Sequence, residues 1–129
     1  MTAVFLTVPW PPTVNTYYRN VRGMMKISET GRAYSNQVSV NVRCAQIRGE
    51  ISRNPLLGRL LVRIDLYQKD KRRRDIDNLF KALLDSITKA GVWGDDEQID
   101  RLSINRHRTT GEAHATIYIE RLPDTEEST

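Results

Sequence analysis

The sequence predicts an α/β (α+β) fold, in which a single mixed sheet of about four strands packs against two helices. Residues 60–67 alternate apolar and polar side chains, as a half-buried strand does, and residues 76–87 space their apolar side chains along one helix face. The predicted elements follow one another as strand, helix, strand, helix, strand, strand. Because the 129 residues contain no repeat and no linker, a single domain over residues 1–122 is expected.

A strand and a helix are predicted in the first half of the chain. Residues 3–8 (AVFLTV) alternate like a strand, and the prolines that follow end it. Residues 15–26 show no period, which predicts a loop. Residues 28–48 lack proline and carry apolar side chains at helical spacing, which predicts a helix, although the valines of VSVNV would also suit a strand.

The second half should supply the remaining elements. The strand over residues 60–67 is followed by an exposed connection and then by the helix, which Gly91 ends. The six apolar side chains of the helix stripe are Ile76, Leu79, Phe80, Leu83, Leu84 and Ile87. Residues 100–108 and 113–121 alternate like strands, and the turn residues between them predict a β-hairpin.

The composition is that of a soluble globular protein, with 39% hydrophobic and 28% charged residues. No apolar run is long enough to span a membrane, and the first residues lack the basic start of a signal peptide, so a cytoplasmic location is expected. The single cysteine, Cys44, cannot form an intramolecular disulfide and is predicted to be packed inside its helix. The acidic tail, residues 123–129, is predicted to be disordered.

Positive charge is concentrated in the first part of the chain. Residues 1–94 contain 16 Lys or Arg against 7 Asp or Glu, whereas residues 95–129 contain 4 against 9. The basic surplus includes five side chains just before the second helix, namely Lys69, Lys71, Arg72, Arg73 and Arg74. Such a run is typical of a surface that binds a polyanion such as a nucleic-acid backbone, although a solvated loop or a localisation signal would have the same composition.

Carboxylates are placed around the same helix. Asp75 and Asp77 lie two residues apart at the start of the second predicted helix. If the chain is extended there, both side-chain carboxylates point in the same direction. A purely structural alternative is that Asp77 caps the helix while Asp75 pairs with an arginine. Lys81 shares the face of Asp77, and Asp95 and Asp96 follow the helix, so a strand that begins there could return them beside its entrance.

Three or four carboxylates without thiolates favour a hard cation, Mg²⁺ or Mn²⁺, over zinc. His107 and His114 would face each other across the predicted hairpin, but their spacing matches no ligand motif, and they are interpreted as surface or core residues. A carboxylate-bound Mg²⁺ usually takes its other ligands from water and from substrate phosphates. The pattern therefore predicts a metal ion beside a phosphodiester backbone.

The segment RRRDIDNLFKALLDSITKAGVWGDDEQI resembles the signature region of RusA-type Holliday junction resolvases, small Mg²⁺-dependent endonucleases of bacteria and prophages. VPWPPTVNTYYRNVRG and SETGRAY are similar to further parts of that family, so the resemblance extends to about residue 120. It implies that Asp75, Asp77 and Asp96 are the catalytic, metal-binding acids and that Lys81 and Arg74 are functional. It also implies a homodimer that acts on four-way DNA junctions, and it implies no other protein partner.

The leading hypothesis is therefore an endonuclease that makes paired nicks in four-way junctions during recombination and repair. The five basic residues before the helix, together with Arg19 in the N-terminal loop, are the candidate DNA contacts. Either Phe80 and Leu84 or the loop tyrosines Tyr17 and Tyr18 could lie at the dimer interface. A non-catalytic nucleic-acid-binding module is the alternative, and a phosphohydrolase for nucleotides is disfavoured because a small substrate needs fewer cations.

Overall fold

A computed structural model describes residues 3–123, which form a four-stranded mixed sheet packed against two long helices. In chain order the elements are β1 (Ala3–Pro9), α1 (Val14–Tyr17), β2 (Tyr18–Val21), β3 (Met24–Ile27), α2 (Glu29–Ile47), β4 (Leu60–Gln68), α3 (Asp77–Lys89), a 3₁₀ turn (Asp96–Gln98), β5 (Ile99–Arg108) and β6 (His114–Arg121). The fold class and the six main elements predicted from the sequence are confirmed. Most of the acidic tail lies outside the described residues.

One hydrophobic core joins the sheet to the helices. Alternate residues of β4, from Leu60 to Leu66, are almost fully buried, and so are the stripe residues Leu79, Leu83 and Ile87 of α3. Tyr17 and Leu84 are also buried in this core, which removes them from the candidates for a dimer interface. No helix in residues 3–123 has the length and apolarity needed to cross a membrane.

The strand order is β1-β6-β4-β5, and this order contradicts the predicted hairpin. β6 pairs antiparallel with β1 and with β4, whereas β5 pairs parallel with β4 on its other side. A turn signal specifies that the chain reverses, but not that the two strands are neighbours. Here residues 109–113 pass over the end of β4 and span two strand spacings, roughly 10 Å.

The segment that was predicted to be a loop is ordered, so that prediction is wrong. It forms the short helix α1 and then an antiparallel hairpin of β2 and β3. The turn consists of Arg22 and Gly23, both with positive φ (54° and 81°), as the commonest two-residue hairpin turns require. The Asn20 side chain accepts a hydrogen bond from the Gly23 N–H at 2.9 Å and closes the turn.

The start of α2 packs tightly against the residues that precede this hairpin. Ser28 caps the helix, its hydroxyl accepting from the Gly31 N–H at 2.9 Å and donating to the Tyr17 carbonyl at 3.1 Å. Gly31 itself lies against the Tyr17 carbonyl, where a Cβ would not fit. Further along α2, Cys44 is exposed, so the prediction that it is packed inside is wrong.

Candidate active site

The parallel pairing of β4 and β5 places the predicted catalytic acids at opposite ends of the sheet. Asp75 follows the carboxyl end of β4, whereas Asp96 lies just before β5, whose first residue, Ile99, pairs with Leu60 at the opposite end of β4. Nine residues of strand span roughly 26 Å, and the 13 residues of α3 between the acids span about 20 Å. The strand after the helix therefore does not return Asp95 and Asp96 to the helix entrance within one chain.

Asp75 and Asp77 have exposed side chains at the start of α3. The N-cap residue is Ile76, and no side chain caps the helix, so the alternative in which Asp77 is the cap is wrong. Ile76 has helical backbone angles (φ −59°, ψ −39°), so the entrance is not the extended segment expected from the sequence. Within residues 3–123, neither carboxylate forms an ion pair or accepts a side-chain hydrogen bond, and both are accessible to a ligand.

Lys81 lies one helical turn after Asp77 and is exposed on the same side of α3. Its Nζ stands 5.8 Å from the centre of the Tyr18 ring, at the base of the β2–β3 hairpin. Lys81 and Asp77 thus lie on one side of α3, as their four-residue spacing requires.

The two acids after α3 differ in their hydrogen bonding. Asp95 is the N-cap of the 3₁₀ turn, and its carboxylate accepts from the Glu97 N–H at 3.0 Å, while the Gln98 side chain accepts from the Asp95 N–H at 3.0 Å. Asp96 has no side-chain hydrogen bond or ion pair within the described part of the chain. The structure thus gives Asp95 a structural role and leaves Asp96 available.

Asp85 is a candidate that the sequence analysis missed. It is half-buried on α3, and the burial, followed by the negative charge of Asp96, raises the pKa of its carboxyl group. Its spacing was a usable signal, since Asp77, Lys81 and Asp85 recur at four-residue intervals and share one helix face. Asp85 and Asp96 form a second acidic position near the carboxyl end of α3.

A network of hydrogen bonds shapes the basic loop between β4 and α3. The buried Gln68 amide donates to the carbonyls of Asp70 (2.8 Å) and Arg72 (2.7 Å). The Asp70 carboxylate accepts two bonds from Arg74 and one from the Arg72 N–H, which together lower its pKa to about 2. The Arg74 guanidinium also lies 5.5 Å from the centre of the Trp10 ring. This predicted DNA contact is therefore engaged with the protein itself.

The other predicted DNA contacts are exposed. Their side chains form no ion pair or hydrogen bond among the described residues, and they are Arg19, Lys69, Lys71, Arg72 and Arg73. A shallow groove is lined by Thr13, which precedes α1, together with Arg73, Asp75 and Asn78. The basic loop and the acidic helix entrance therefore belong to one continuous surface.

The sequence profile of one protein family, described as endodeoxyribonuclease RusA, matches residues 9–120. The chain belongs to the RusA family. Two curated relatives, the crossover junction endodeoxyribonucleases RusA of Enterobacteria phage 82 and of Shigella sonnei (strain Ss046), are each 42% identical over 99 residues. The protein of the same name from Escherichia coli (strain K12) is 41% identical over 99 residues. In each case the match covers 77% of this chain and 78% of the relative.

The donor chemistry at the helix entrance of this RusA-family chain suits Mg²⁺. Asp75 and Asp77 offer exposed carboxylate oxygens, and Mg²⁺ is often held by one or two carboxylates together with water and substrate phosphates. Within residues 3–123, no three Asp, Glu, His or Cys side chains lie close enough to hold one ion. Among the described residues, the carboxylates of Asp75 and Asp77 thus have no third such side chain close enough to share an ion.

The two histidines flank Tyr67 at the carboxyl end of β4, the same end of the sheet from which the chain leads to Asp75. They do not face each other across a hairpin; instead, their rings stack on opposite faces of Tyr67, with centroid distances of 4.8 Å for His107 and 4.7 Å for His114. His107 Nε2 also lies 2.8 Å from the carboxylate of the buried Asp65. These contacts support the interpretation that the histidines are surface or core residues.

Proposed function

We propose that the chain is a Mg²⁺-dependent endonuclease that resolves four-way DNA junctions by paired nicks, acting as a homodimer in the cytoplasm of a bacterial cell, with either the bacterium or a phage as its source. The observation that carries the proposal is the pair of exposed carboxylates at Asp75 and Asp77, beside Lys81 and a basic loop, in a member of the RusA family. The matched relatives are named crossover junction endodeoxyribonucleases and come from a phage and from enterobacteria.

Each group at the helix entrance has a separate task. Asp75 and Asp77 hold the ion, and Lys81 stabilises the negative charge that develops on the phosphate during cleavage. When bound, Mg²⁺ supplies activation of a water molecule and neutralises charge on the scissile phosphate; Mn²⁺ can replace it. The exposed cations of the basic loop, Lys69 to Arg73, hold the DNA backbone across this site.

We include in this proposal that two copies of the chain build each metal site. Asp96 lies at the opposite end of the sheet from Asp75 and Asp77, which supports a site in which one copy supplies the helix-entrance pair and the other supplies Asp96. A two-fold dimer then presents two identical sites, as two symmetric nicks require. The interface must lie elsewhere than at Tyr17 and Leu84, because both are buried within one chain.

Mixing inactive variants tests the activity and its two-chain site. Asp77→Asn and Asp96→Asn chains are each expected to bind a four-way junction without cutting it. The two variants are then unfolded and refolded together to form mixed dimers. In each mixed dimer, one site takes Asp75 and Asp77 from the Asp96→Asn chain and Asp96 from the Asp77→Asn chain, so all three acids are present in that site. The mixture should therefore nick a supercoiled cruciform plasmid to relaxed circles, whereas the wild type gives linear product.

The matched control is a mixture of Asp75→Asn with Asp77→Asn, which places both defects in the same half of the site and should stay inactive. If the mixture with Asp96→Asn is equally inactive, the two-chain site is wrong, although the nuclease assignment stands. If the wild type shifts a labelled junction but never cuts it in Mg²⁺ or Mn²⁺, the chain is a binding module and the proposed activity is wrong.

A further inference from the structure

The tip of the β2–β3 hairpin exposes two large apolar side chains to solvent. Met24 and Met25 are each 63% exposed, although a methionine normally buries its side chain. The turn residues Arg22 and Gly23 both adopt the left-handed backbone conformation, and Asn20 hydrogen bonds to the turn, so the tip has a defined shape. The exposed methionines are therefore held in place at the end of a two-stranded ribbon.

The register of the hairpin puts one methionine on each face. Side chains of directly paired residues lie on the same face of an antiparallel ribbon, and successive pairs alternate between the faces. Asn20 pairs with Met25, and Val21 pairs with Met24, so the two methionines point to opposite sides. Each face of the tip therefore exposes one methionine, an arrangement suited to contact two apolar surfaces at once.

The positive charge of the hairpin indicates which kind of ligand its tip binds. Residues 18–27 contain three cations, Arg19, Arg22 and Lys26, and no acid, and all three are exposed. Arg19 pairs directly with Lys26, so two like charges face each other across the ribbon, which is unfavourable unless an anion lies between or beside them. An apolar tip flanked by cations that form no ion pair within residues 3–123 favours DNA, in which phosphates surround stacked bases.

The base of the hairpin is fixed to the proposed active site. Tyr18 and Ile27, the first pair of the ribbon, pack partly against the core, and Lys81 lies over the Tyr18 ring. Lys81 in turn lies one helical turn from Asp77. The methionine tip is therefore carried at a fixed position relative to the residues that are proposed to act on the scissile phosphate.

We propose that this hairpin is a wedge that opens the base stack at the branch point of the junction. Met24 and Met25 enter between base pairs, one against each side of the opened step, while Arg19, Arg22 and Lys26 contact the flanking phosphates. Apolar side chains, including methionine, unstack base steps in this way in proteins that kink DNA. The inference rests on the proposed junction-cutting function and adds to it a residue-level device for recognising the branch point.

The test uses 2-aminopurine, a base whose fluorescence rises when it is unstacked, placed beside the branch point of a synthetic junction. The full chain carrying Asp77→Asn, which binds without cutting, should raise the fluorescence in Mg²⁺. Adding Met24→Ser and Met25→Ser should abolish the rise while junction affinity changes by no more than about threefold, because the phosphate contacts remain. In the otherwise wild-type chain, the two serines should slow cutting by about tenfold, consistent with the loss of a few stacking contacts.

The matched control is Ile47→Ser, which removes a 66% exposed apolar side chain from α2 and should change neither fluorescence nor cutting. An unchanged fluorescence rise and cutting rate in the methionine variant would overturn the wedge while leaving the nuclease function intact. An equal loss of affinity for junction and for continuous duplex, or a change in oligomeric state by light scattering, would also overturn it. If the wild type does not cut the junction at all, the proposed function itself has failed.

Discussion

Replacing Gly31 with alanine should destabilise the protein, although the same change inside an ordinary helix stabilises it. Alanine exceeds glycine in helix propensity by about 1 kcal/mol. At this position, however, the added Cβ would overlap the carbonyl oxygen of Tyr17 and lie 2.8 Å from Cγ2 of Ile27. The first of these neighbours is backbone, which cannot yield without moving the link between α1 and the hairpin.

The expected loss of stability in Gly31→Ala is the cost of overpacking minus the gain in helix propensity. Overpacking costs about 1–3 kcal/mol, and a backbone obstacle places this site near the upper end. After subtraction of the gain in helix propensity, the net loss is about 2 kcal/mol. For a chain of 129 residues this corresponds to a fall in Tm of about 7 °C.

Thermal and urea unfolding, followed by tryptophan fluorescence at equal chain concentration, measures this loss. Asn36→Ala is the matched control, since Asn36 is an exposed poor helix former in the same helix, and its replacement should raise stability by about 0.5 kcal/mol. A Gly31→Ala chain as stable as the wild type would refute the close approach of α2 to Tyr17.

Three further predictions concern charge. Asp95→Asn should cut junctions almost normally, because asparagine also caps a helix, whereas Asp96→Asn should not cut; the reverse result in a gel assay would exchange their roles. Neutralising Arg72 and Arg73 together should reduce the salt dependence of DNA binding by roughly 0.9 log unit per lost phosphate contact, and an unchanged slope would show that they are solvated. Because the pKa of Asp85 is raised, the wild type should lose stability relative to Asp85→Asn as the pH rises from the ordinary carboxyl pKa through the raised value. A difference in urea midpoint that does not vary with pH would contradict this.

Local signals in the sequence were sufficient to predict the position of most individual helices and strands. The apolar stripe of α3 and the alternation in β4 located both elements to within two residues, because their periods record which face meets the core. The exposure of Cys44 has a similar local explanation. The buried stripe of α2 runs through Tyr34, Val38, Val42 and Ala45, and Cys44 lies beside this stripe.

Features that depend on distant residues were not predictable in the same way. The direction of β5 is decided by its pairing with β4, some 40 residues earlier in sequence, and the turn residues at 109–111 carry no information about it. The β2–β3 hairpin was missed because its strands have four residues each and its Arg-Gly turn lacks the usual asparagine or aspartate. Sequence resemblance thus predicted which acids are catalytic, but not their separation within one chain, which follows from the parallel pairing of β4 and β5.

The strand order has a consequence for how the protein folds. No two neighbouring strands of the main sheet are joined by a hairpin, and the β1–β6 pair joins Ala3 to Glu120. Every ladder in this sheet must therefore close a long loop before it gains any hydrogen bond, a topology of high contact order that favours folding in milliseconds to seconds over microseconds. The small β2–β3 hairpin, whose contacts are local, can form far earlier. We therefore expect Asp96, which leads directly into β5, to reach its final position late in folding, when β5 joins β4.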